Sequence, residues 1–178
     1  MVMLLIPMEK LSNNICSLVP NEDRLTFSVV FEMSEKGNLV NHQIAKTIIN
    51  SKRRFTYEEA QKIIESGEGD FSKEVILLNE LAKHIRSKRM KTGSFEFFTP
   101  EVEFQLDENG YPSNILKKEM KESNMLVEEF MLLANKTIAE RIFTQGNVPF
   151  VYRIHDYPDE EKITEFTRFV KSLGYSFN

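Results

Sequence analysis

The sequence predicts an α+β domain in which a mixed or antiparallel sheet packs with a central apolar helix. Three observations carry that expectation. Thr26 to Met33 alternates with the period of a half-buried strand and runs into a turn; capped helical patterns occupy residues 56–90; and the most apolar helical stretch, 122–143, lies between further segments of β pattern. The predicted order, β-β-α-α-β-β-β-α-β-α, clusters like elements instead of alternating them, which points to α+β and away from a doubly wound sheet.

In the first strand Phe27, Val29, Phe31 and Met33 alternate with Thr26, Ser28, Val30 and Glu32. Glu35-Lys36-Gly37-Asn38 reads as a hairpin turn, with Gly37 or Asn38 able to take positive φ. The return segment, Leu39 to Ile49, also has the spacing of a helix at Val40, Ile44 and Ile48, but the turn before it favours a strand. Thr56-Tyr57-Glu58-Glu59 has the form of a capping box and opens a helix that runs to about Ser66, with Gly67 as its stop. A longer helix from Ser72 to Met90 should bury Val75, Leu78, Leu81, Ala82 and Ile85, with Gly93 as its cap. Phe95 to Phe98 reads as a strand. Val102–Leu106 and Ser113–Lys118 flank Asp107-Glu108-Asn109-Gly110, and Asn-Gly is the strongest short hairpin signal.

Along 122–143, Val127, Met131, Ala134, Ile138 and Ile142 make one stripe, widened by Leu126, Phe130 and Leu133, which predicts a buried central helix. Val148 to His155 reads as a strand. Pro158-Asp159-Glu160-Glu161 starts a last helix, with Ile163, Phe166, Val170 and Leu173 on its inner face and Gly174 at its end.

Composition narrows the function classes. With 178 residues and 41% hydrophobic content the chain can bury a sizeable core. No stretch approaches the roughly 20 apolar residues of a membrane span. Met1 to Ile6 is too short for a signal-peptide core and lacks a basic flank, so no export signal is expected. A single cysteine, Cys16, excludes an internal disulfide and a cysteine-built zinc site, and His42, His84 and His155 have no metal-ligand spacing. The expectation is a cytoplasmic chain with no bound cofactor of its own. A net charge of −4 argues against wrapping nucleic acid by bulk electrostatics. Two basic runs stand out nevertheless: Lys52-Arg53-Arg54, and Lys83 to Lys91, whose last cations also suit the helix dipole.

No Gly-rich phosphate loop, nucleophile elbow, HExxH or EF-hand loop is present. The least ordinary local feature is Glu128-Glu129 within the apolar helix, where Glu128 has Met125, Leu126 and Leu132 as helical neighbours. A carboxylate there needs solvent or a partner, and pattern alone favours a structural salt bridge. Tyr57, Phe97 and Phe98 are aromatics that would stack on bases if they lined a groove beside the basic runs; in an alternating strand they would instead be core.

Five stretches in order carry a resemblance. They are Ile6-Pro7-Met8-Glu9-Lys10-Leu11-Ser12-Asn13 with Ile15-Cys16-Ser17-Leu18; Asp23-Arg24-Leu25; Ser51-Lys52-Arg53-Arg54-Phe55-Thr56-Tyr57; Leu126 to Asn135; and Tyr152 to Pro158. With them the chain resembles the catalytic RNB domain of the bacterial ribonuclease II and ribonuclease R family, the ribonuclease R branch above all, over essentially its whole length. The resemblance implies a partial RNB domain over residues 1–178, from a processive hydrolase that threads single-stranded RNA 3′ end first and releases nucleoside 5′-monophosphates. It implies two magnesium ions in the intact enzyme. The family's upstream aspartate cluster and its downstream Thr-Ser-Pro-Ile-Arg-Arg-Tyr motif do not occur here, so no catalytic residue is expected in this chain, and no magnesium bound to it.

RNA contacts are what the resemblance carries over. Tyr57 and Glu128 match the tyrosine and glutamate that hold the ribose and favour RNA over DNA, which turns the reading of Glu128 from salt bridge to ligand acceptor. Phe97 matches a stacking phenylalanine, with Phe95 and Phe98 as adjacent candidates, and Lys52, Arg53 and Arg54 are candidate phosphate contacts. The alternative is a non-catalytic RNA-binding or scaffold protein built on a degenerate RNB half. Surface left bare by missing flanks makes self-association a further expectation.

Overall fold

A computed structural model describes residues 12–13, 16–94 and 101–176. The chain divides into two compact units, residues 1–138 and 139–178. The described elements are β1 (Asp23–Met33), β2 (Leu39–Asn50), α1 (Tyr57–Ser66), α2 (Ser72–Lys91), β3 (Glu101–Leu106), β4 (Pro112–Lys118), α3 (Glu122–Gln145) and α4 (Glu160–Ser172). The strands form two separate antiparallel hairpins, β1 with β2 and β3 with β4, so the class is α+β.

Both hairpins follow from their turns. In the first, Gly37 takes φ +66 and donates to the Ser34 carbonyl at 2.8 Å, and Leu39–Asn50 pairs with β1 as a strand despite its helical spacing. A strand is secured by its partner, and the tight turn supplies one. In the second, the Asp107 carboxylate accepts from the backbone amides of Asn109 and Tyr111, both at 2.9 Å, and Gly110 takes φ +82.

The first turn also docks. Gly37 is buried against α2, where an added Cβ would come 2.7 Å from the His84 Cβ. Lys88 Nζ donates to the Lys36 carbonyl at 2.9 Å and to Asn38 Oδ1. The capping box of α1 forms as the sequence predicts: Thr56 Oγ1 accepts from the Glu59 amide at 3.2 Å and Glu59 Oε2 from the Thr56 amide at 2.9 Å. Gly67 closes the helix at φ +76. Helix α2 runs one residue past the expected Met90, and Thr92, not Gly93, is its C-cap.

Burial departs from the amphipathic expectation. Among the described residues only Ile63, Val75 and Ala82 are buried apolar side chains, while Gln61, Asn79, Ser123, Glu129 and Thr137 are buried polar ones. Leu78, expected inside α2, is exposed, and Asn79 beside it is buried. Helix α3 does not behave as a buried apolar helix: Val127 and Met131 are open, and Glu129 is 1% exposed. The face that α3 turns inward is fixed by directional polar contacts with α2 and α1, described below; Val127 and Met131 of its apolar stripe are exposed, while Leu126, Phe130, Leu133, Ala134, Ile138 and Ile142 are half-buried. Phe27, placed inside β1 by alternation, is likewise exposed, although Val29, Phe31 and Met33 are half-buried as expected.

In the second unit α4 starts as predicted. Asp159 is its N-cap, accepting from the Glu161 and Lys162 amides at 2.8 and 3.4 Å. None of its residues is buried: on the expected inner face Ile163, Phe166 and Leu173 are exposed and Val170 is half-buried. The strand expected over Val148 to His155 does not form: no ladder includes these residues, and Val151 and Ile154 are fully exposed. An apolar run of strand-like composition has no strand without a neighbour to pair with. The expected strand at Phe95 to Phe98 lies outside the described residues.

Candidate nucleic-acid interface

A groove of about 750 Å³ opens among α1, α2 and α3, lined by residues that include Arg54, Phe55, Tyr57, Phe71, Leu78, Ser123 and Val127. Its polar and aromatic features sit where the segment before α1 turns into the helix. Tyr57, the first residue of α1, is 49% exposed. Phe71, half exposed, meets Phe55 edge-on with ring centroids 6.5 Å apart. Phe71 occupies the left-handed region (φ +54, ψ +30) immediately before α2, where a bulky side chain is rare and strained. Ser123 is 2% exposed, and its Oγ has no hydrogen-bond partner among the described residues. Glu58 and Glu74 also line the groove; hydrogen bonds from backbone and from Thr56 hold the Glu58 carboxyl below its ordinary range.

The three cations before α1 have different tasks. Arg53 is engaged in packing: its guanidinium reaches Glu59 at 3.2 Å and Asp70 at 3.8 Å and lies 5.1 Å from the Phe55 ring centre. Lys52 donates to Asn50 Oδ1 at 2.8 Å. Arg54 is exposed, forms no ion pair among the described residues, and lines the groove beside Tyr57. A guanidinium and an aromatic face next to an apolar wall suit a phosphate and a base or ribose.

On its other side α3 forms a polar seam with α2. Glu122 accepts from Asn79 Nδ2 and Lys83 Nζ, each at 2.8 Å, contacts that hold its carboxyl below the ordinary range. Gln61 of α1 accepts from the Ser123 amide at 3.1 Å. Farther along, Arg89 forks onto Glu129, Nε to Oε2 at 3.2 Å and Nη2 to Oε1 at 2.5 Å. The basic run Lys83 to Lys91 remains largely exposed, yet Lys83 and Arg89 bind α3, and Lys88 binds the β1–β2 turn.

Glu128 stands at the outer edge of that seam, its carboxylate 41% exposed and 3.8 Å from Arg89 Nη2. It is not among the residues that line the groove holding Tyr57, although its neighbour Val127 is. Phe97 and its neighbours Phe95 and Phe98 lie outside the described residues. Sequence reasoning singled out Tyr57 and the 52–54 run but missed Phe71 and Arg89. Nothing in the sequence marks a phenylalanine for the left-handed region; for Arg89 the available signal was the basic run ahead of an acid inside an apolar helix, which reads equally as cations suited to the helix dipole.

Among the described residues no three His, Cys, Asp or Glu side chains gather to hold a metal ion. The best-placed acids have their charges met already, Glu122 by Lys83 and Glu129 by Arg89. The donor set does not fit a two-metal centre. No helix among the described residues is long and apolar enough to cross a membrane.

The sequence matches the RNB domain family over residues 1–177, and the chain belongs to that family. Among its relatives, Ribonuclease R of Aquifex aeolicus is 37% identical over 173 residues, which cover 94% of this chain and 24% of that protein. The Exosome complex exonuclease RRP44 of Homo sapiens is 38% identical over 153 residues, 84% of this chain and 16% of the relative. In structure, Mycoplasma genitalium RNase R in complex with ribose methylated single-stranded RNA superposes with a TM-score of 0.84 at 25% identity, over 96% of this chain and 28% of that one. The chain thus spans about a quarter of the bacterial relatives it matches.

Proposed function

We propose that this chain is a partial RNB domain, residues 1–178, of a processive 3′-to-5′ exoribonuclease that hydrolyses single-stranded RNA to nucleoside 5′-monophosphates, and that its own part is to hold the RNA. The observation that carries the reading is the match to the RNB domain along residues 1–177, joined to a groove lined by the exposed Tyr57 ring and by Arg54, which forms no ion pair among the described residues. In this reading the Tyr57 ring packs on a ribose or base and Arg54 takes an adjacent phosphate. The Glu128 carboxylate accepts from the 2′-hydroxyl of another nucleotide, the group that separates RNA from DNA. Phe97 stays a stacking candidate, and Lys52 and Arg53 rank behind Arg54 because the structure engages them elsewhere. Hydrolysis and its magnesium belong to other parts of the intact enzyme, whose place is the cytoplasm.

The test is binding. Fluorescence anisotropy of a labelled oligoribonucleotide and its 2′-deoxy counterpart, titrated with this chain, should show tighter binding of the RNA, weakened by Tyr57→Ala and by Arg54→Ala. Equal affinity for both polymers, unmoved by either substitution, defeats the reading. The scaffold alternative is separated by the coding sequence on either side: an aspartate-rich motif upstream and the Arg-Arg-Tyr motif downstream favour the enzyme. Leu25, Phe27 and Ile48 form an open apolar patch on the first hairpin, which supports self-association. Sedimentation velocity over a range of concentrations tests it, and a monomer throughout refutes it.

A further inference from the structure

Arg89 contacts two carboxylates in unequal ways. Glu129, 1% exposed, receives both edges of the guanidinium. A forked pair of this kind fixes the plane of the arginine as well as its position. The same Nη2 then lies 3.8 Å from Glu128 Oε1, beyond hydrogen-bond reach but close enough to attract. No donor among the described residues hydrogen-bonds to Glu128, so a fixed positive charge holds its carboxylate in place while both oxygens remain able to accept. Glu129 is the anchor, Arg89 the fixed charge, and Glu128 the free acceptor.

We propose that Arg89, locked by Glu129, is a positioning residue that orients Glu128 for the RNA 2′-hydroxyl and so sets the preference for RNA over DNA. The proposal rests on the assignment of Glu128 to ribose recognition given above. A side chain on a solvent-facing helix edge samples several rotamers, and an acceptor spread among them forms a poorer bond with a hydroxyl in one place. Holding the carboxylate with a charge that does not consume its lone pairs avoids that loss.

The experiment compares the affinity of this chain for an oligoribonucleotide and for the same sequence in 2′-deoxy form. Removing Arg89 alone leaves Glu129 buried and unpaired, so the informative variant is the pair Arg89→Met with Glu129→Met. It keeps the net charge and replaces an ion pair by apolar side chains of similar length. Circular dichroism checks that it folds. The RNA-to-DNA affinity ratio should fall about tenfold, the scale of one hydrogen bond to a charged acceptor, with DNA affinity unchanged. Glu128→Ala should produce the same fall, and the triple variant no more than either. A purely structural role would lower both affinities together and leave the ratio alone, which overturns the proposal. If Glu128→Ala lowers the ratio and the Met pair does not, the positioning role fails while the ribose assignment stands. If Glu128→Ala leaves the ratio unchanged, the assignment itself fails and the proposal with it.

Discussion

Replacing Gly37 by alanine separates two costs that the structure makes distinguishable. Gly37 has φ +66, a region that costs an alanine about 1–2 kcal/mol. The new methyl would also sit 2.7 Å from the His84 Cβ and 3.4 Å from the Leu81 carbonyl oxygen, on a helix backbone that cannot yield cheaply. The turn must lift, and with it go the Lys88 hydrogen bonds to Lys36 and Asn38, each contributing about 1 kcal/mol. The total is about 3–4 kcal/mol. Gly67→Ala is the control: its φ is +76 but nothing lies within 4 Å of an added Cβ, so only the conformational cost applies. Urea unfolding followed by circular dichroism should place the Gly37→Ala midpoint clearly below that of Gly67→Ala. Equal losses would mean that the hairpin turn is not docked on α2, and the account of how that helix is positioned would be wrong.

Three further outcomes are expected. Thr56→Ala removes the cap of α1 and should cost about 1 kcal/mol in a urea titration, with Thr56→Ser restoring most of it. Glu122 has its pKa lowered on folding by Lys83 and Asn79, so its contribution is complete above the unfolded carboxylate value and is lost as pH falls through the folded one; Glu122→Gln should therefore unfold earlier than wild type at pH 7 and by a shrinking margin on acidification, and a gap that persists undiminished in acid refutes this. The purified chain should release no nucleoside monophosphates from single-stranded RNA when magnesium is added, and robust release measured by thin-layer chromatography would overturn its assignment as RNA-holding surface only.

Local signals in the sequence were reliable wherever a local interaction makes the element. The capping box at Thr56 and Glu59, Gly37 and Gly110 in their turns, and Asp159 ahead of α4 all form as read, because each depends on residues within a few positions of one another. Burial was much less legible. The period of α3 predicted a buried apolar stripe, but Val127 and Met131 are exposed, and which face turns inward depended on Asn79, Lys83 and Arg89 lying opposite, which no periodicity within α3 contains. The segment at Val148 to His155 failed for the same reason, since a strand requires a partner from elsewhere in the chain. At the candidate site Tyr57 and Arg54 were visible beforehand. The approach of Arg89 to Glu128 and Glu129 emerged only once α2 and α3 were placed side by side.

The α2–α3 seam has a consequence for how the domain tolerates change. Sliding one helix past the other by a single turn, 5.4 Å, would carry Glu129 away from Arg89 and leave a carboxylate that is 1% exposed without its counter-charge. Breaking such a buried pair costs about 3–5 kcal/mol. The two helices are keyed to one another, and their alignment does not depend on what lies against their apolar sides. The register of the helix pair that carries Glu128 is set by a charge pair within this chain.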